Sequence, residues 1–192
     1  ENQFVESGLW GFDELRSLMV NVGFDDPEHL SQSEINSRES LEVAAIFHKD
    51  HSYCQVLGHA FDVETATLFS QSIVLSAGCS VGGIDLLNSQ QRSIVEHMLG
   101  QGAVAFVGAT RNSIAHNTVI HVSMWNQVLA GKTIGQAMKH GINDAIVHWQ
   151  DDQSSAMRYS VDIEILYGDP ALQFDVPSDY RSLPARQILT GQ

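Results

Sequence analysis

The sequence predicts one α/β layered domain, and three observations carry that prediction. Four apolar, β-branched-rich runs (Leu41–Phe47, Tyr53–Leu57, Ser72–Ala77 and Ala103–Val107) are continuous rather than alternating. Continuous runs suit strands buried on both faces, as in a parallel sheet covered by helices. Between the last two lies Ser89–Leu99, with Ile94, Val95, Met98 and Leu99 on one stripe and Gly100 and Gly102 closing it. Strand, crossover helix, strand is the repeating unit of α/β folds. The composition is also that of a globular chain: 192 residues, 43% apolar and 17% charged, which argues against wholesale disorder and a coiled coil.

Taken in order, Gly8 to Gly23 reads as an amphipathic helix, with Leu9, Phe12, Leu15, Leu18, Met19 and Val22 at helical spacing. Asp25 to Ser40 is polar. Residues 1–40 are therefore expected to be an N-terminal helical and loop segment. Residues 41–176 form the main domain and residues 177–192 a tail with little pattern. Within the domain, Ile114–Leu129 and Thr133–Trp149 are two helices parted at Gly131. Met157 to Tyr167 alternates, with Tyr159, Val161, Ile163 and Ile165 against Ser160, Asp162 and Glu164. That pattern predicts a strand with one wet face. Asp169 in Gly168-Asp169-Pro170 reads as a turn former, since the residue before Pro is extended and an Asp carboxylate accepts nearby amides.

Charge narrows the partners. Ten Lys and Arg face 23 Asp and Glu, a net charge of −13, so phosphate is repelled and nucleic acid is not expected to bind. No apolar run approaches the ~20 residues of a membrane span. Glu1-Asn2-Gln3 starts neither basic nor apolar, so no signal peptide is expected in this chain.

Ligands of open parallel sheets bind beyond the carboxyl ends of the strands. Two runs end there in reactive side chains among small residues. One is Val56-Leu57-Gly58-His59-Ala60, and the other is Ser76-Ala77-Gly78-Cys79-Ser80-Val81-Gly82-Gly83. Were these strands adjacent and parallel, about 4.8 Å apart, the His59 imidazole and the Cys79 thiol would share a cleft. A thiol acts as thiolate, which a nearby imidazole favours. The Cys79 amide and the amide after His59 are then oxyanion donors. Gly58, Gly78, Ser80, Gly82 and Gly83 would line the substrate cleft, where glycine lets a backbone approach closely. The ordinary alternative is a buried cysteine and a satisfied histidine.

Gly78-Cys79-Ser80-Val81-Gly82 also matches the short G-x-S-x-G elbow, which would make Ser80 the nucleophile of a serine hydrolase. Its acid and base would then be Asp144 and His148, only four residues apart on one helix. His48 and His51, and His116 and His121, lack the spacing of a helical zinc site, and two cysteines supply no zinc quartet. These histidines are expected at the surface, with no metal and no cofactor. Trp10, Trp125 and Trp149 are expected in helices, as core residues.

The ordered set of these pieces resembles the catalytic domain of the gingipain family of cysteine peptidases. The resemblance runs from Val56-Leu57-Gly58-His59 and Ile73 to Asp85, through Gly102 to Thr110 and Gly131 to Met138, to Leu166-Tyr167-Gly168-Asp169-Pro170-Ala171-Leu172. It implies a caspase-like three-layer sandwich with a mostly parallel sheet flanked by helices. It also implies a cysteine endopeptidase acting on peptide or protein substrates, secreted or at the cell surface. Cys79 would be the nucleophile, His59 its dyad partner, and the amides of Ala60 and Cys79 the oxyanion donors. Ala60 stands where the family usually has Gly. A catalytically inactive caspase-like binding or structural module is the alternative.

Overall fold

In the computed structural model, the described residues are 40–41, 45–48, 51–58, 61–64, 68–69, 71–113, 117–152 and 155–175. In chain order the strands are β1 (Ser40–Leu41), β2 (Ala45–His48), β3 (Ser52–Tyr53), β4 (Val56–Leu57), β5 (Phe61–Asp62) and β6 (Leu68–Phe69). They continue as β7 (Ile73–Ser76), β8 (Ala105–Ala109) and β9 (Glu164–Gly168). The α-helices are α1 (Ile94–Gly100), α2 (Thr118–Leu129), α3 (Ile134–Asp152) and α4 (Ser155–Ile163).

The main sheet has four strands in the order β2-β7-β8-β9. Strands β2, β7 and β8 run parallel, with Ala45 opposite Ile73 and His48 opposite Ser76 on one side, and Ile73 opposite Ala105 on the other. Strand β9 closes the edge antiparallel to β8, Glu164 pairing with Ala109. Every residue of β7 and β8 is buried, which is why both read as unbroken apolar runs.

Successive side chains leave a strand on opposite faces, and the core divides accordingly. Ile73, Leu75, Ala105 and Val107 meet Met124, Trp125 and Val128 of α2 and Ile134 and Ala137 of α3. Val74 and Phe106 meet Ile94, Val95 and Met98 of α1 together with Leu57 and Phe61. Each fully buried Val, Leu, Ile, Phe or Met among them contributes about 1.5–3 kcal/mol. Phe47 adds an edge-on contact to Trp125, ring centres 5.8 Å apart, so Trp125 is core as expected. The result is the expected three-layer sandwich on a mostly parallel sheet.

The helices start where capping chemistry allows. Ser93 accepts from the Glu96 N–H (3.1 Å) while the Glu96 carboxylate accepts from the Ser93 N–H (3.0 Å). This capping box starts α1 at Ile94. Thr133 and Gln136 make the same reciprocal pair at the start of α3. Helix α2 begins at Thr118, with residues 114–116 outside the described ones. The expected helix over Gly8–Gly23 and the tail beyond residue 176 also lie outside them.

Two expectations are corrected. Tyr53–Leu57 is not a strand of the parallel sheet. It folds at Cys54-Gln55 into a hairpin, and β3, β4 and β5 form their own antiparallel sheet. Leu57 is nevertheless fully buried, because the hairpin lies over the same core face as α1. A short apolar run records burial, not the partner that causes it. Met157–Tyr167 is likewise not one strand: α4 extends through Ile163, and only Glu164–Gly168 is extended. Ser160 and Ile163, one helical turn apart, are buried, while Tyr159 is exposed. The spacing i, i+3 therefore fits better than alternation.

Candidate active site at the carboxyl end of the sheet

Cys79 lies on the turn leaving β7, the second strand of the main sheet, at the carboxyl end of its three parallel strands. The turn is fastened residue by residue. The Ala77 N–H donates to the His48 carbonyl (2.8 Å), the Ser80 N–H to the Arg111 carbonyl (2.9 Å) and the Gly82 N–H to the Ala109 carbonyl (2.9 Å). The Gly78 N–H donates to Ser76 Oγ at 3.2 Å. Ser80 is held at φ 54°, a left-handed conformation that a non-glycine residue rarely adopts. Such backbone persists only where the surroundings over-determine it. Val81 is packed so closely on Gly108 that a Cβ there would lie 2.5 Å from its Cγ2. Bonded to both flanking strands, the turn is a rigid platform for a side chain.

The two cysteines differ. Cys54 is fully buried, its thiol donates to the Gly83 carbonyl at 3.3 Å, and burial pushes that thiol up. Cys79 is half-buried and its thiol donates to the Ser113 carbonyl at 3.4 Å. Only the second combines a position at the carboxyl end of the sheet with access to solvent.

Of the other predicted site residues, Gly78 and Ser80 are buried in the same turn, and the Ser80 hydroxyl donates to Asn112 Oδ1 at 3.3 Å. Gly82 and Gly83 have a packing reason for their lack of a side chain. A Cβ on Gly82 would sit 2.9 Å from the Gly108 carbonyl, and one on Gly83 2.8 Å from that of Thr110. Gly58 directly follows β4 at φ 53°. His59 and Ala60 follow it and lie outside the described residues. Asp144 accepts from the Ser123 hydroxyl, a link between α3 and α2 rather than an acid serving Ser80.

The strand beside β7 is β2, not β4, so adjacency brings His48 to this edge. His48 is 9% exposed, and its Nδ1 is 2.9 Å from Ser76 Oγ. His121 is not at the surface either: its Nε2 lies 2.5 Å from Glu164 Oε1, with side chains 3% and 0% exposed. Both histidines were expected at the surface, because sequence spacing excludes a metal site without locating the residue. His48 was discoverable by the strand-end rule, since it directly follows the Leu41–Phe47 run. His121 and Glu164 carried no such signal, being 43 residues apart.

At the rim, Arg111 and Asp85 form a two-pronged ion pair at 3.1 and 2.8 Å. Hydrogen bonding from Arg111 holds the Asp85 carboxyl below its ordinary value. The Tyr167 hydroxyl donates to the Gly82 carbonyl at 2.5 Å, and burial pushes that phenol up. No group of three or more metal-ligating side chains occurs among the described residues, and no described helix is long and apolar enough to cross a membrane.

The sequence model of peptidase family C25 matches residues 32–175. Among solved structures, the chain is similar to the complex of Porphyromonas gingivalis RgpB pro- and mature domains, with a TM-score of 0.62 and 17% identity. That match covers 83% of this chain and 42% of the other. A second similar structure, of a protease, has a TM-score of 0.55 and 13% identity, covering 78% of this chain and 38% of the other. This chain thus spans less than half the length of either. No match is found among curated proteins. At such identities the likeness is one of fold, the caspase-like sandwich of the gingipains.

Proposed function

Because the chain belongs to peptidase family C25, we propose that it hydrolyses peptide bonds as a gingipain-type cysteine endopeptidase, with Cys79 as nucleophile and His59 as its partner. One observation carries the reading: the half-exposed Cys79 thiol stands on a rigid turn at the carboxyl end of the central parallel strands. The Cys79 sulfur, as thiolate, attacks the scissile carbonyl carbon. The carbon–nitrogen bond then breaks, the imidazole passes its proton to the leaving amine, and water hydrolyses the resulting thioester. The Cys79 N–H donates to no acceptor among the described residues, so it is available to the oxyanion. Ala60 supplies the second donor, and losing one such donor costs about 10²–10³ in rate. The net charge of −13 attracts cationic peptides at long range, an effect that weakens with salt.

A second assignment of the base is favoured by the sheet order. His48 ends the strand parallel to β7 and pairs in register with Ser76, and its ring is already oriented by the Ser76 hydroxyl. In that assignment His48, not His59, handles the proton.

A fluorogenic peptide library varied at the residue before the scissile bond tests both. Cleavage lost in Cys79→Ala and retained in Ser80→Ala supports the nucleophile. Loss in His59→Ala alone assigns the dyad as proposed, and loss in His48→Ala alone reassigns it. A cooperatively folded chain that cleaves nothing, with Cys79 alkylated by iodoacetamide as slowly as buried Cys54, is instead a binding module without turnover.

A further inference from the structure

The loop after β8 touches the Cys79 turn at three successive residues. The Arg111 carbonyl accepts from the Ser80 N–H, Asn112 accepts from the Ser80 hydroxyl, and the Ser113 carbonyl accepts from the Cys79 thiol. What grips the far side of this loop therefore sets where the sulfur sits. The grip comes from Glu164, the first residue of β9, opposite Ala109 and so at the same end of the sheet as Cys79.

The Glu164 side chain is fully buried, which for a carboxylate is costly unless both oxygens are partnered. Both are. Oε1 meets His121 Nε2 at 2.5 Å, and Oε2 accepts from Asn117 Nδ2 at 3.2 Å. A carboxylate takes only donors, so Glu164 dictates which way the Asn117 amide faces. Asn117 Oδ1 is thereby turned to Ser113, whose hydroxyl donates to it at 3.1 Å. A parallel clamp ties the start of the loop to the same junction: the Thr110 N–H and hydroxyl both donate to the Ile163 carbonyl, at 2.8 and 3.0 Å.

We propose that Glu164, held by His121, is a positioning residue for the Cys79 nucleophile, acting through the Asn117 amide and Ser113. The inference rests on the peptidase reading of Cys79. Glu164 does not touch the reacting atoms; it fixes the carbonyl against which the resting thiol is oriented before its proton passes to the base and the thiolate attacks. With the carboxylate removed, the Asn117 amide is free to turn over, Ser113 loses its acceptor, and the sulfur loses its fixed direction. Small displacements of a reacting atom are expensive in rate even when binding is unchanged.

The test measures kcat and KM separately on the best library substrate, and the Cys79 alkylation rate per folded molecule, in Glu164→Ala, Glu164→Gln and Ser113→Ala. The expected result is a fall in kcat on the order of tenfold in Glu164→Ala and in Ser113→Ala, with KM little changed and the alkylation rate altered in step. Glu164→Gln retains an oxygen for the Asn117 amide and should recover most of the kcat. Ser113→Ala removes only a hydroxyl from a loop, so it remains informative if Glu164→Ala does not fold. Lowered melting temperatures with wild-type kcat and alkylation per folded molecule would make the cluster a purely structural staple and overturn the proposal. A wild-type protein that cleaves nothing and alkylates Cys79 no faster than Cys54 would instead overturn the peptidase reading beneath it.

Discussion

Two small-residue junctions look alike in the sequence and have become opposite things in the structure. One is the turn Ser76–Gly83, which carries Cys79. The other is the clasp where Gly131–Gly135 meets Gly168–Leu172. In the clasp the backbone groups pair with each other: the Ile134 N–H donates to the Leu172 carbonyl (2.8 Å) and the Gly135 N–H to the Pro170 carbonyl (2.9 Å). Asp169 serves its own turn, accepting the Ala171 N–H at 2.8 Å, as its sequence setting predicts. In the Cys79 turn the neighbouring amides are likewise bonded, but the Cys79 N–H meets no acceptor among the described residues and its thiol is half-exposed. Small residues allow close approach in both places. The proposed chemistry rests on that difference: the frame leaves one amide without an acceptor among the described residues and one thiol half-exposed.

The comparison can be broken most severely at the proposed nucleophile: Cys79→Ala should remove the proposed peptidase activity by several orders of magnitude while leaving the melting temperature within about two degrees of wild type. Activity assays alongside differential scanning fluorimetry separate the two readouts. The clasp should behave in the opposite sense. In Gly135→Ala the new methyl would lie 2.7 Å from Pro170 Cβ and 3.0 Å from its carbonyl oxygen. Overpacking of this kind costs about 1–3 kcal/mol, a fall of roughly 2–10 °C in melting temperature for a chain of this size. Thiol alkylation per folded molecule should be unchanged, and a loss of thiol reactivity there would erase the distinction between the junctions. Asp169→Ala should cost less, about 1 kcal/mol, again without touching the thiol.

Two smaller effects sharpen the contrast from outside both junctions. Ser93→Ala removes the cap of α1, worth about 1 kcal/mol. Hydrogen bonding from Ser93 lowers the Glu96 carboxyl below its ordinary value. That part of the stability is present above the unfolded carboxylate range and lost as pH falls through the folded value. Ser93→Ala keeps the Ser93 backbone N–H, the larger cause, and removes only the hydroxyl's share, so its penalty should be slightly larger at neutral pH than in acid, as urea titrations at the two pH values will show. Asp85→Asn breaks the exposed ion pair with Arg111, and should shift the melting temperature by only about a degree or less.

Burial was legible in the sequence wherever it was local. Strands β2, β7 and β8, the crossover helix α1, the paired helices α2 and α3 and the Asp169 turn all follow from runs, periodicity and caps within a few residues. The placement of Cys79 just beyond a buried strand was legible for the same reason. Tertiary structure alone decided that the apolar run at Tyr53–Leu57 is a hairpin over the core rather than a neighbour of β7, and that α4 replaces half of an apparent strand. It alone set His48 beside Ser76, and joined His121 to Glu164 beneath the loop that holds the Cys79 thiol. A side-chain pattern records how wet each residue is, and nearby residues determine caps and turns. Which element lies across from which is settled by packing between segments dozens of residues apart, and the Ser113 carbonyl that accepts from the Cys79 thiol is drawn from such a segment.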